Sequence, residues 1–388
     1  MDTPPSEKRD DPGMDRTVRT SARLIRLALP ALVLAYASGA LALYPSQVQL
    51  SIEENIDHVF HCDEVPILER AAVVPQRDGL VRALEVLEEV GPPGGAIDSK
   101  AILSAYDRLA SECEGQSGYY GETILPDGSL VIYVPGTASV TRGDDFEILV
   151  GRNGHGFSLG LPGYETNAPY SLDEAAADTV GRAKVQQLKL IPDSDLADLF
   201  LLRTRQIHFT GKASDPGDRV VATQISFGRQ YKDVPFIGSG SRIHLILGAG
   251  DLPSLIRVDW PEVADTGVIQ QPTDVSRFEL RTAGVLKAQD GGTLTQPLVM
   301  GIHSMMCGYF DPTLHSDEPY LELACEVALV SGDPESPNLE GIVVPLGEGA
   351  SMQGLWGGEA GLAELEALGQ EPGNVCVFDR HVKLQDND

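Results

Sequence analysis

The stretch that decides the fold begins at Ser171-Leu172-Asp173-Glu174 and runs to Trp260. Its opening announces a helix, because the serine can accept from the free amides of the first turn while the glutamate reaches back to the cap. The helix is expected to run to about Leu190, ahead of Pro192. Beyond it the apolar residues recur in strand-like runs at Leu199–Phe209, Val220–Tyr231, Phe236–Leu247 and Ser254–Trp260, joined by turns rich in Asp, Gly and Pro. A helix followed by a meander of antiparallel strands buries both apolar faces by stacking one on the other. The predicted class is therefore α+β, with helices packed on antiparallel β-sheets.

Toward the N-terminus the period changes. Residues 51–118 read as helical: Leu80, Ala83, Leu84, Leu87 and Val90 share one face, Pro92-Pro93-Gly94-Gly95 ends that helix, and Asp98 caps a second with the stripe Ile102, Tyr106, Leu109 and Cys113. Together they predict an N-terminal helical hairpin. From Tyr119 to Leu161 the period is two, in Leu130–Val134 and Phe146–Val150, and Gly151–Gly163 makes a loop or junction. After Pro261, strands are expected near Phe278–Leu286, Pro297–Met305, Tyr320–Val330 and Ile342–Pro345, then a helix at Glu359–Leu368 and a strand around Val375–Phe378. The domain limits that follow are 1–42, 43–118, 119–168, 169–263 and 264–388.

The first residues carry an address. Arg16, Arg19, Arg23 and Arg26 lead into an apolar run from Leu24 to Tyr44, the layout of a secretory signal, with Met14 as an alternative start and Ala40-Leu41-Ala42 as the cleavage site. The competing reading is a retained membrane anchor over residues 24–43, long enough to span a bilayer. The mature chain is expected to be secreted or periplasmic, and to meet a membrane only if that segment is retained. All five cysteines, Cys62, Cys113, Cys307, Cys325 and Cys376, lie beyond it. Oxidising conditions then allow up to two disulfides, with Cys62–Cys113 and Cys307–Cys325 the favoured pairs, although buried thiols are the competing reading.

Charge excludes one class of partner. With 57 acidic against 29 basic residues in 388 and a net charge of −28, the surface repels polyanions, so nucleic acid is not expected. The 42% hydrophobic content rules out extended disorder as the main state.

The block from Tyr231 to Ser241, Tyr-Lys-Asp-Val-Pro-Phe-Ile-Gly-Ser-Gly-Ser, with the alternating Ile243–Leu247 after it, resembles PepSY and thermolysin-propeptide (FTP) domains. In those families a strand ends in a Tyr-x-x-(Ile/Val)-Pro-Val turn. The likeness covers roughly residues 171–262. It implies an extracytoplasmic module whose relatives contact peptidases, and it carries over no catalytic residue. No His-Glu-x-x-His occurs in the chain, so no zinc peptidase is present in cis. Tyr231, Val234, Pro235 and Phe236 are the candidate binding surface, with a structural corner as their competing role.

Reactive constellations are sparse. His58, His61, Cys62 and Asp63 bring metal-ligand types together but lack a second ligand pair at a familiar spacing. Gly349–Gly354 is one residue too long for a nucleophile elbow around Ser351, Ser239 and Ser241 sit in the corner already described, and His208, His244 and His303 fall singly in strands. Arg142-Gly143-Asp144 reads as a hairpin turn. No catalytic residue, metal or cofactor is assigned. The expectation is an exported, non-enzymatic module that binds a polypeptide, an extracytoplasmic protein or a peptidase in trans; the alternative is a secreted hydrolase with an unrecognised serine or metal centre.

Overall fold

The computed structural model describes residues 65–71, 74–113, 120–151, 154–162, 168–210, 218–289, 299–311, 319–333, 336–348, 358–370 and 377–379. Residues 1–43 form one unit and 44–388 another, and all described residues belong to the second. The leader, its start and cleavage sites, the apolar run 24–43 and the His58–Asp63 cluster lie outside the described residues.

The described chain opens with β1 (Val65–Arg70), followed by helices α1 (Gln76–Val90) and α2 (Ser99–Cys113). β1 replaces part of the helix expected over 51–118. Val65, Ile67 and Leu68 are all buried, the unbroken apolar run of a strand covered on both faces. α1 buries Leu80, Ala83, Leu84 and Leu87, and α2 buries Ile102, Tyr106 and Leu109, the stripes their spacing predicts. Gly91, at φ +78°, stops α1 with its N–H on the Leu87 carbonyl, and the Asp98 carboxylate accepts from Ala101 N at 2.9 Å to start α2.

A five-strand meander follows: β2 (Gly121–Ile124), β3 (Leu130–Val134), β4 (Thr137–Arg142), β5 (Phe146–Gly151) and β6 (Gly156–Gly160). α3 (Glu174–Gln187) opens the next run, capped by Asp173, whose carboxylate accepts from Ala176 N at 2.8 Å. The cap falls two residues later than Ser171, because Leu172 is held by the sheet: its N–H donates to Thr223 Oγ1 and its carbonyl accepts from Gln206.

β7 (Leu199–Thr210), β8 (Asp218–Tyr231), β9 (Val234–Gly238), β10 (Arg242–Gly248) and β11 (Leu252–Asp259) come next. The strand expected over 236–247 is broken in two where Gly238 and Ser241 take φ of +91° and +51°. After β12 (Val263–Pro272), residues 278–286 are helical rather than extended, within α4 (Val275–Gln289). Phe278, Thr282, Val285 and Leu286 are buried at helical spacing, and Asp274 accepts from Arg277 N. The remainder is β13 (Val299–Asp311), β14 (Tyr320–Leu321), β15 (Leu323–Asp333), β16 (Ser336–Pro345), β17 (Gly347–Glu348), α5 (Gly358–Gln370) and β18 (Val377–Asp379).

Fourteen strands form one sheet in the order β16-β15-β13-β9-β8-β10-β11-β6-β5-β4-β3-β2, with β7 on β8 and β18 on β13; four more run β14-β1-β12-β17. The large sheet is mixed, since β13 pairs in parallel with β9 and with β18. This overturns the expected α+β class led by a helical hairpin. Sheet predominates, with eighteen strands against five α-helices among the described residues, and α1 and α2 do not make a unit of their own. Their apolar stripes merge with α3 and with strands β3 to β6, β8, β10 and β11 in a single core. A broad sheet covers an apolar stripe more completely than one neighbouring helix can.

The sheet is wide because two helix-then-strands runs meet end strand to end strand. Phe157 pairs with Val258 and Leu159 with Ile256, so segments 119–168 and 169–263 share one ladder. A second core gathers β1, β9, α4, β13, β15 and β16 around Phe236, Tyr309 and the Cys307–Cys325 disulfide.

Candidate functional site

The corner at 231–236 is a two-residue hairpin between β8 and β9, with Tyr231 opposite Val234 and both central residues, Lys232 and Asp233, left-handed at φ 48° and 66°. Phe236 and Val234 are buried in the second core, Phe236 with its ring centroid 5.4 Å from that of Tyr309. Pro235 is half-buried, and a Cβ on Gly308 would stand 2.0 Å from its carbonyl oxygen. Tyr231 is also half-buried, edge-on to Tyr309, with its hydroxyl 3.4 Å from Asp265. The four residues thus join β8 to β13, and the two most apolar side chains face inward.

Beside this corner runs a buried polar seam. Ser241 Oγ donates to Asp311 Oδ2 at 2.7 Å, and Arg70 Nη1 holds Asp311 Oδ1 at 3.3 Å. Arg229 lies over the Trp260 ring at 4.9 Å, pairs with Asp195 at 3.1 Å and donates to the Pro261 carbonyl. His155 borders the seam, and its pKa is lowered by burial and then by Arg70 and Arg82. Ser241 is fully buried and already gives its proton to a carboxylate that a guanidinium neutralises. Such a hydroxyl has no route to an incoming carbonyl.

The opposite face of the sheet holds a different set. α1, α2 and α3 cover the face that carries Ile225, Phe227, Ile243, Leu245, Ile256 and Val258. Alternate residues point the other way. One register row on that outer face reads Arg203 (β7), Ser226 (β8), His244 (β10), Arg257 (β11), Ser158 (β6). Arg205 and Gln224 continue the next row, and Arg242 stands two residues before His244. Arg205 is exposed; Arg203, Arg242, His244 and Arg257 are half-buried.

Here a hydroxyl and an imidazole do converge, with Ser226 Oγ 2.8 Å from His244 Nδ1. The charges around them decide what the pair can do. Burial first, then Arg257 and Arg242, push the His244 pKa down to about 3. A base that weak holds no proton at neutral pH, and the ring is set beside cations where a triad would place an orienting acid. Arg203 is likewise depressed, by burial and then by Arg205. These cationic side chains share one face of the sheet.

The remaining candidates resolve into structure. Arg142 of the Arg-Gly-Asp tripeptide turns inward to the carbonyls of Gly95 and Ala96. A cavity of about 560 Å³ lies among Ile269, Gln271, Leu362, Arg277, Arg281 and Glu348, but its charges are matched: Arg277 pairs with Glu348 and Glu366, and Arg281 with Glu366 at 2.8 Å. Among the described residues no group of three or more His, Cys, Asp and Glu is placed to hold a metal. His208 is exposed on β7, and Ser351 lies outside the described residues. Cys307 pairs with Cys325, while Cys113 is a buried free thiol and Cys62, its expected partner, lies outside the described residues.

The outer-face row escaped the sequence reading because its members lie on five separate strands and only register assembles them. The local signs are Arg203-x-Arg205 and Arg242-x-His244, polar residues at every second position.

No protein-family model matches the chain, and no curated protein matches it. Among solved structures the chain is similar to an uncharacterized protein from Eubacterium rectale ATCC 33656, at 7% sequence identity and a TM-score of 0.35, over 72% of this chain and 82% of that one.

Proposed function

We propose that this chain is an exported, non-enzymatic module that binds a polypeptide, with a peptidase acting in trans as the partner class its PepSY/FTP resemblance suggests. The observation that carries the reading is the one-sided sheet: helices α1 to α3 pack on one face, and the alternate residues of β7, β10 and β11 on the other remain half-exposed. An extended polypeptide can lie along such a face or add to β7, whose one ladder among the described residues is to β8. Two register shifts in the β7–β8 ladder, with Leu202 the extra residue in β7 and Val221 the extra residue in β8, disfavour indiscriminate pairing at that edge.

The Cys307–Cys325 disulfide supports an oxidising compartment, and the Arg16–Tyr44 layout supports export. Among the described residues no helix is long and apolar enough to cross a membrane. The test is binding of a panel of labelled unfolded polypeptides to the purified protein, followed by fluorescence anisotropy, with ester and peptide turnover assayed in parallel. Saturable binding without turnover is the expected result. Turnover that disappears in Ser226→Ala or His244→Gln would overturn the proposal.

A further inference from the structure

We infer that the cavity among α4, α5, β12 and β17 binds a small zwitterion with an apolar side chain, the chemistry shared by a free apolar amino acid and a short peptide. The site stands apart from the outer sheet face and does not rest on the polypeptide reading. Three observations carry it.

The first is an open donor. Arg281 lines the cavity and is the deepest-set of its charged groups, with a side chain only 1% exposed. Its Nε is spent on Glu366 at 2.8 Å, and its Nη1 on the carbonyls of Pro345 and Gly347 at 3.3 and 2.9 Å. Nη2 has no hydrogen-bond partner among the described residues, and it is not sealed from the cavity. The other three bonds fix the guanidinium plane, so this nitrogen is held ready before a ligand arrives. A carboxylate that reaches it gains a charge-assisted hydrogen bond without the arginine having to move.

The second is the balance of charge. Arg277 and Arg281 stand one turn apart on α4, and the acids that pair with them are Glu348 and Glu366. Two guanidinium groups against two carboxylates leave no net charge. Both hydrogen bonds to Glu348, from Arg277 Nη1 and Thr273 Oγ1, fall on Oε1, so Oε2 stays open as an acceptor on a side chain 35% exposed. An anion would suit Arg281 but meet Glu348, and a cation would do the reverse. A molecule with both an ammonium and a carboxylate answers each pole and keeps the balance.

The third is the wall. Ile269 and Gln271 are alternate residues of β12 and share one of its faces, and Gln271 is the register partner of Glu348. Ile269 is 48% exposed, and Leu362 of α5 lines the same space. The two give an apolar side chain a place to lie, while the Gln271 amide adds a donor and an acceptor beside it. The volume, about 560 Å³, falls within the range of about 300–1,000 Å³ usual for small-molecule sites.

The experiment is isothermal titration calorimetry of the whole protein with leucine, the dipeptide Leu-Leu, N-acetyl-leucine and leucine amide. The last two present the same side chain as an anion and as a cation. Saturable binding of a zwitterion, about tenfold tighter or more than of either blocked analogue, is expected. The tighter of leucine and Leu-Leu tells whether the site takes a free amino acid or a peptide. Ile269→Trp, which fills the cavity from an exposed position, should weaken that binding by about tenfold or more with the thermal midpoint unchanged. Glu348→Gln leaves one cation unmatched and should reverse the preference, so that N-acetyl-leucine binds tighter than leucine. The assignment would be overturned by the absence of saturable heat up to about 10 mM, or by equal affinity for zwitterions and blocked analogues. Binding undiminished in Ile269→Trp, or an unaltered preference in Glu348→Gln, would overturn it as well.

Discussion

Ser226 and His244 face each other across the β8–β10 ladder, Oγ to Nδ1 at 2.8 Å, with Arg257 and Arg242 as the charges that act on the ring. The hydroxyl satisfies a neutral imidazole, and burial first, then the two cations, keep it neutral. The same pairing of groups beside an aspartate would make a base; beside arginines it makes a strut.

That arrangement dictates how stability responds to acid. The His244 pKa falls from an ordinary 6.5 to about 3 in the fold, so the unfolded chain takes up a proton at a pH where the native one does not. The contribution is complete above about 6.5 and is lost as pH falls toward 3, at about 1.4 kcal/mol per pH unit for a fully shifted group. Urea midpoints measured from pH 7 to pH 4 should decline more steeply for the natural chain than for His244→Gln. Parallel curves would show that His244 titrates normally.

The corner quoted from the sequence is tested through its neighbour. A Cβ on Gly308 would lie 2.0 Å from the Pro235 carbonyl oxygen, and backbone atoms cannot rotate away as a side chain would. Gly308→Ala should therefore separate β9 from β13, costing about 3 kcal/mol or more, at the upper end of overpacking effects. The readout is the thermal midpoint. An unchanged midpoint would mean that the parallel Phe236–Tyr309 ladder does not hold the two cores together.

Much of this architecture could be read locally, and the limits have a physical source. Leu80 to Leu87 and the Asp98 cap place α1 and α2 correctly because helix signals repeat within one or two turns. The strands of the meander are equally local. What could not be read is which strands adjoin: Leu159 and Ile256 are 97 positions apart, and nothing near either one names the other. The class was misjudged for that reason, since the sheet grows to fourteen strands only through such remote ladders. The candidate site suffers the same blindness. Tyr231 and Phe236 stand out as a motif yet serve the joint, whereas Arg203, His244 and Arg257 look unremarkable until register brings them into one row.

Asp311 anchors the seam between the two cores. Its carboxylate is fully buried, with Ser241 Oγ at 2.7 Å and Arg70 Nη1 at 3.3 Å. Removing one member of a buried pair strands the other, which typically costs about 3–5 kcal/mol. Asp311→Ala is expected in that range and Ser241→Ala near about 1 kcal/mol, the worth of one hydrogen bond. Chemical denaturation of the two variants and their combination gives a double-mutant cycle. A coupling energy of zero would show that serine and aspartate act independently.

The disulfide offers the last test, because it joins the compartment argument to the fold. Cys307 and Cys325 are direct register partners on β13 and β15, buried at the centre of the second core and 18 residues apart in sequence. Closing a loop of that length removes unfolded-chain entropy worth about 3 kcal/mol. Thermal unfolding under strong reductant, or of Cys307→Ala/Cys325→Ala, should therefore begin several degrees lower, with the native spectrum retained at room temperature. Alkylation of the native, unreduced protein should leave Cys307, Cys325 and the buried Cys113 unlabelled. Unfolding before alkylation should add a label at Cys113 alone of these three. Labelling of all three without reductant would mean that the chain carries reduced thiols, and would remove the support this bridge lends to an extracytoplasmic setting.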